Sequence, residues 1–147
     1  RGIHTCIETS GAGAPDAAKE VFCLADLVLM DFKHGDPELL KKLTGLEMER
    51  FIRNMELLQA LNKPVILRCP IIKGVNTSDT HFSAVADIAN RFSCIYQIEF
   101  LPYHNLGCEK SVKMNLPYQE FETPSKDEIV YYIDFLKSKT GKNVLLL

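Results

Sequence analysis

The sequence predicts an α/β fold of parallel β/α units. Three observations carry this. Short apolar runs alternate with helical patterns along the whole chain. The runs are rich in β-branched and aliphatic residues, as strands buried on both faces require. The helical stretches between them are long enough to serve as crossovers.

Taken in order, GIHTCIET (Gly2 to Thr9) reads as a strand that stops at Ser10-Gly11-Ala12-Gly13. Pro15 to Leu24 reads as a short helix. DLVLMDFK (Asp26 to Lys33) is the second strand. Asp36 followed by Pro37 is a helix cap with proline at the first helical position, and that helix closes at Gly45. A longer helix from about Glu47 to Leu61 lines up Met48, Phe51, Ile52, Met55 and Leu58 on one face. PVILRCP (Pro64 to Pro70) is the third strand. Asp79 to Phe92 is a helix with Phe82, Val85, Ala86, Ala89 and Phe92 on one side. CIYQIEFL (Cys94 to Leu101) is the fourth strand, and a long loop runs from about Pro102 to Pro124. Ser125 and Glu128 form a capping box for a helix from Lys126 to Lys139. Gly141 ends it, and Asn143 to Leu147 reads as a short last strand.

A complete barrel of eight such units takes roughly 250 residues. At 147 residues, the chain fits half of a TIM-type barrel or a small open sheet. No G-x-G-x-x-G follows a strand, so dinucleotide binding has no support.

Composition narrows the partners. With 17 Lys+Arg, 19 Asp+Glu and a net charge of −2, nothing marks a surface for nucleic acid or anionic membrane. No apolar run approaches the roughly 18 residues of a membrane-spanning helix. The Arg1 start shows no leader and suggests a segment upstream. The five cysteines Cys6, Cys23, Cys69, Cys94 and Cys108 are odd in number and widely spaced. They predict neither disulfides nor a zinc or iron–sulfur site, but a reducing, cytoplasmic compartment.

In parallel α/β folds chemistry collects at the carboxyl ends of the strands. Here these ends carry Glu8, Thr9 and Ser10; Asp31, Lys33 and His34; Arg68; and Pro102-Tyr103-His104. Any one of them could merely meet water, yet four consecutive polar strand ends form a pattern. Asp31 and Lys33 share parity and project to one face. Glu8, Asp31, the Thr9 hydroxyl and a main-chain carbonyl are hard oxygen ligands for a cation; the alternative is a hydrogen-bonded structural pair. Arg68, amid apolar neighbours, is expected to fork onto a carboxylate of protein or ligand. Glu99 reads as a structural partner, and Cys6 and Cys69 as buried apolar-type residues. His4 and His81 receive no role. Lys41 and Lys42 read as a solvated helix face.

The strings HTCIETSG, DLVLMDFKHGDPELLKKLTG, PVILRCPIIKGVN and IEFLPYHNLGCEK resemble the radical S-adenosylmethionine activating enzymes of glycyl radical enzymes. The match is closest to the group that acts on pyruvate formate-lyase. It runs in order from Gly2 to about Leu136, and PSKDEIVYYIDFLK resembles the family's closing helix.

The resemblance implies the second half of a partial TIM-type barrel, with residues 1–147 as the carboxyl-terminal part. Its mouth would bind S-adenosylmethionine beside a [4Fe–4S] cluster. Reductive cleavage would give a 5′-deoxyadenosyl radical that takes a hydrogen atom from a glycine of the partner. That partner would be pyruvate formate-lyase or a relative, with an electron donor such as flavodoxin. Glu8, Thr9 and Asp31 resemble a monovalent-cation site. Thr9, Lys33, Arg68 and His104 resemble cofactor-binding positions: Lys33 and Arg68 at the carboxylate and ribose region, His104 near the adenosyl group.

The family's C-x-x-x-C-x-x-C ligand run and its Gly-Gly-Glu segment do not occur in this sequence. The fragment alone is therefore expected to hold no cluster and to be inactive. Three other readings remain. One is a partner-docking module built from the barrel mouth and the Pro102–Pro124 loop. Another is an activase for a different glycyl radical enzyme, such as a glycerol dehydratase type. The third is a phosphate-binding enzyme, which would need more than the isolated Gly74 and Gly107.

Overall fold

The apolar runs pair side by side into one parallel sheet. In the computed structural model, which describes residues 2–105, 108–115, 117 and 120–147, the elements follow the order β1 (Cys6–Thr9), α1 (Pro15–Leu24), β2 (Leu27–Asp31), α2 (Pro37–Thr44), α3 (Met48–Ala60), β3 (Val65–Ile71), α4 (Asp79–Arg91), β4 (Ile95–Pro102), α5 (Cys108–Lys113), α6 (Lys126–Lys139) and β5 (Asn143–Leu146). The strands lie in the order β1-β2-β3-β4-β5, every neighbouring pair parallel.

That order decides between the two architectures left open by the sequence. A doubly wound sheet reverses its strand order at a switch point. Here the order never reverses. Right-handed crossovers then lay every connecting helix on the same face. The sheet is thus the arc of a partial barrel, with helices outside and a helix-free concave face.

Side-chain alternation follows from this. Val28, Met30, Val65, Leu67, Cys69, Ile98, Phe100 and Val144 point toward the helices and are buried in one core. From α3 the core receives Phe51, Met55 and Leu58, and from α4 Phe82, Val85 and Ala89. Each such side chain gains roughly 1.5–3 kcal/mol from burial. The opposite face carries Glu8, Asp31, Arg68, Gln97 and Glu99.

Local chemistry sets the element ends. Asp36 accepts a hydrogen bond from the Leu39 amide at 2.9 Å, Pro37 opens α2, and Gly45 closes it at φ 74°. Ser125 and Glu128 make both bonds of the expected capping box, at 3.2 and 2.7 Å.

Three expectations need correction. First, β1 begins at Cys6, not Gly2. Thr5 instead clamps Asp26, whose carboxylate accepts from the Thr5 amide at 2.7 Å and from its hydroxyl at 2.8 Å. The same clamp takes Asp26 out of the second strand. Second, the loop from Pro102 to Pro124 contains the short helix α5, and Lys73 bridges to Glu122 across it. Third, Cys6 is exposed: it lies on the edge strand and shares the helix-free face with Glu8. Cys69 is buried as expected. The last strand is present and closes the β4 side of the sheet. Gly107 and part of the long loop lie outside the described residues.

Candidate functional site

Parallel register brings the polar strand ends onto one surface. Asp31 on β2 lies directly beside Arg68 on β3, and Arg68 beside Glu99 on β4. The Arg68 Nη1 reaches the Glu8 carboxylate at 2.8 Å, and its Nε stands 3.4 Å from Glu99 Oε2. The second Glu99 oxygen accepts from Gln97 Nε2 at 2.8 Å, and Gln97 Oε1 accepts from Asn143 Nδ2 at 3.0 Å. A polar row therefore crosses the concave face from β1 to β5. At the mouth, Lys33 Nζ bonds Asp31 Oδ2 at 2.9 Å.

Arg68 is the centre of this row. Its side chain is only 14% exposed. Two carboxylates flank it, yet its buried Nε makes no hydrogen bond of proper geometry. A buried donor left this way costs about 1–3 kcal/mol. The guanidinium thus has unspent capacity for an acceptor. Arg68 meets carboxylates as expected, but by one contact each with Glu8 and Glu99 rather than by a two-pronged fork onto one of them.

The expected cation trio does not converge through its side chains. Successive strand residues point to opposite faces. Glu8 and Asp31 share the concave face, whereas the Thr9 hydroxyl lies on the helix side and accepts from the Gly11 amide at 3.1 Å. Register sets Glu8 beside Leu29, not Asp31. Glu8 is committed to Arg68 and Asp31 to Lys33. Among the described residues, no group of three His, Cys, Asp or Glu side chains could hold a metal ion. His104 lies past the end of β4 and is exposed.

Two histidines behave differently from their sequence reading. His34 is buried beneath the mouth; its Nε2 lies 3.1 Å from the Val75 carbonyl, and its Nδ1 accepts from the Asp36 amide at 2.9 Å. Nδ1 is therefore bare and Nε2 carries the proton. His81, assigned no role, is buried on α4. Its Nδ1 accepts from the Gly35 amide at 3.0 Å, and its ring stacks on Phe32. Burial, reinforced by His34, pushes its pKa down to about 3. Gly35 fits here because a Cβ would stand 2.5 Å from Ala84 Cβ.

Two buried asparagines went unnoticed in the sequence. Asn54 donates to the carbonyls of Gly11 and Gly13 at 2.8 and 2.9 Å, fixing the β1–α1 turn. Its position between Phe51, Met55 and Leu58 was the available signal. Asn76 bridges the ends of β2 and β3, donating to the Lys33 carbonyl at 3.0 Å and the Pro70 carbonyl at 2.7 Å. Nothing in the local pattern marked it. Gly74, considered for an anion loop, serves a turn in which its amide donates to Thr77 Oγ1.

A cavity of about 380 Å³ lies on the other side of β1, lined by Ile7, Thr9, Gly11, Ala18, Val21 and Asn54. Its lining is mainly apolar, and Glu8, the partner of Arg68, also borders it. No helix among the described residues is long and apolar enough to cross a membrane.

No family model matches the sequence. Curated relatives do. The chain is 31% identical over 136 residues to a pyruvate formate-lyase-activating enzyme of Staphylococcus epidermidis, covering 88% of this chain and 54% of the relative. It is 34% identical over 120 residues to a (2S)-3-sulfopropanediol dehydratase activating enzyme of Klebsiella oxytoca, covering 80% of this chain and 38% of the relative. The chain thus spans about half the length, or less, of these relatives. A crystal structure of a domain of pyruvate-formate lyase-activating enzyme from Bacteroides vulgatus shares the fold. The TM-score is 0.80 at 22% identity, over 99% of this chain and 82% of that one.

Proposed function

We propose that this chain, a relative of the activating enzymes of glycyl radical enzymes, is the carboxyl-terminal part of such an activase and carries part of its S-adenosylmethionine site. One observation carries the reading: Glu8, Asp31 and Lys33, at or just past the carboxyl ends of β1 and β2, gather on the helix-free face with Arg68, midway along β3. The relatives' shared kind of activity and the shared fold support it.

The residues fit an amino-acid carboxylate. Arg68 keeps a buried Nε whose 3.4 Å contact with Glu99 falls short of a hydrogen bond, and the Lys33 ammonium is about one-third exposed at the mouth. Both are cations of the kind that holds an anionic ligand. Glu8 and Asp31 balance them, Glu8 pairing with Arg68 and Asp31 with Lys33. His104 would meet the adenosyl end. When bound, S-adenosylmethionine and a [4Fe–4S] cluster supply a one-electron cleavage that generates a 5′-deoxyadenosyl radical. The residues of this chain would hold the carboxylate, orient the nucleoside and keep opposing charges paired.

The cluster does not fit this chain. It needs several thiolates at one place, yet Cys6 is on an edge strand, Cys23 is exposed on α1 and Cys69 is in the core. The ligand run would come from sequence outside these 147 residues. We place the enzyme in the cytoplasm, with a flavodoxin-type donor, and take pyruvate formate-lyase as the first partner to test. The relatives span several activating enzymes.

The test uses the full-length, anaerobically reconstituted protein. S-adenosylmethionine should bind, and Arg68→Lys and Lys33→Ala should each weaken binding about ten-fold, as loss of a charge-assisted hydrogen bond does. Reduction should yield 5′-deoxyadenosine, and a glycyl radical signal should follow with one candidate partner. Absence of binding, or of cleavage under reducing conditions, overturns the proposal.

A further inference from the structure

Lys33 lies two residues past the end of β2 and one past the last main-chain bond to β3, from the Phe32 amide to the Arg68 carbonyl at 2.8 Å. Its ammonium nevertheless meets Asp31 at 2.9 Å. What holds the chain there is a set of buried polar contacts from the loop after β3. The central one is Asn76, 2% exposed. Its amide nitrogen donates to the Lys33 carbonyl at 3.0 Å and to the Pro70 carbonyl at 2.7 Å. Its amide oxygen accepts from the Ile72 amide at 2.7 Å. Both amide hydrogens and one acceptor position are thus used on three main-chain groups.

Two further bonds lace the same loops. His34 Nε2 donates to the Val75 carbonyl, and His81 Nδ1 accepts from the Gly35 amide. Removing these leaves Lys33 tied by Asn76. Removing Asn76 leaves three partly buried main-chain groups without their partner. The turn after β2 would then have to shift to reach water.

We propose that Asn76 is a positioning residue: it fixes the main chain of Lys33 relative to β3, so that the Lys33 ammonium stays on Asp31, the register neighbour of Arg68, to receive a ligand carboxylate. The proposal rests on the reading of Lys33 as a carboxylate-binding group. Asn76 itself touches no ligand.

The test again takes the full-length protein and measures equilibrium binding by calorimetry. Two probes are used: S-adenosylmethionine, and 5′-methylthioadenosine, which lacks the amino-acid carboxylate. Asn76→Ala and Asn76→Asp should each weaken S-adenosylmethionine about ten-fold, a loss of roughly one hydrogen bond's worth. Binding of 5′-methylthioadenosine should stay within about two-fold. In a Lys33→Ala background the Asn76 substitutions should add nothing further, because coupled residues are not additive. Asn76→Ser, which keeps one donor, should recover part of the affinity and stands in if Asn76→Ala does not fold. An equal loss for both probes, or a full additional loss in Lys33→Ala, overturns the role of Asn76 alone. Unchanged S-adenosylmethionine binding in Lys33→Ala itself overturns the reading of Lys33, and the role of Asn76 with it.

Discussion

At the scale of the residue, burial sets the chemistry more than identity does. An unfolded imidazole takes its proton near 6.5, whereas His81 in the fold holds off until about 3. Between these values the unfolded chain binds the extra proton. Stability contributed by neutral His81 is therefore complete above pH 6.5 and is lost as pH falls through that window. Its slope is about 1.4 kcal/mol per pH unit. Urea unfolding at pH 7 and pH 5.5 should show the loss, and His81→Gln should flatten the slope. Equal slopes in the two proteins would refute the assignment. The same principle explains the cysteines. Burial pushes the Cys69 thiol up and makes it inert, while Cys6 and Cys23 are exposed.

At the scale of the element, local signals decided where helices start and stop. The capping box of α6 is the clearest. Ser125→Ala removes the acceptor for the Glu128 amide and should cost about 1 kcal/mol, read as a lower urea midpoint with an unchanged slope. Lys126→Ala, at the solvent-facing first residue of the same helix, should stay within about 0.5 kcal/mol. Strand ends were less legible. The first strand lost Gly2 to Thr5 because Asp26, 21 residues on, captures the Thr5 amide and hydroxyl. No local pattern announces a side chain that arrives from the turn before the next strand.

At the scale of the whole molecule, the arc is closed on one side by β5. Val144 is buried against the core, and the Leu147 amide donates to the Phe100 carbonyl at 3.0 Å. Deleting Asn143 to Leu147 uncovers Phe100 and opens the β4 edge. Burial of one Val alone accounts for roughly 1.5–3 kcal/mol, so the truncated chain should unfold at clearly lower urea by circular dichroism. An unchanged midpoint would mean that β5 is dispensable. The arc also explains why the polar row can exist. Helices pack on one face only, so Glu8, Arg68, Glu99 and Gln97 occupy the other without displacing the core.

The sequence by itself determined the elements and their class. Period-two and 3.6-residue patterns, caps and turn residues are written within a few positions of where they act. It also placed Glu8, Asp31, Lys33 and Arg68 at strand ends, because position along a strand is a local property. Only the tertiary structure decided which of them meet. Register set Arg68 between Asp31 and Glu99, within side-chain reach of Glu8, and the strand's alternation turned the Thr9 hydroxyl away. The uninterrupted strand order chose the arc over the open doubly wound sheet. Asn76, His34 and His81 gained their roles from loops 40 or more residues apart. These are long-range hydrogen bonds among buried groups, and the need to satisfy each group arises only once packing has excluded water from it.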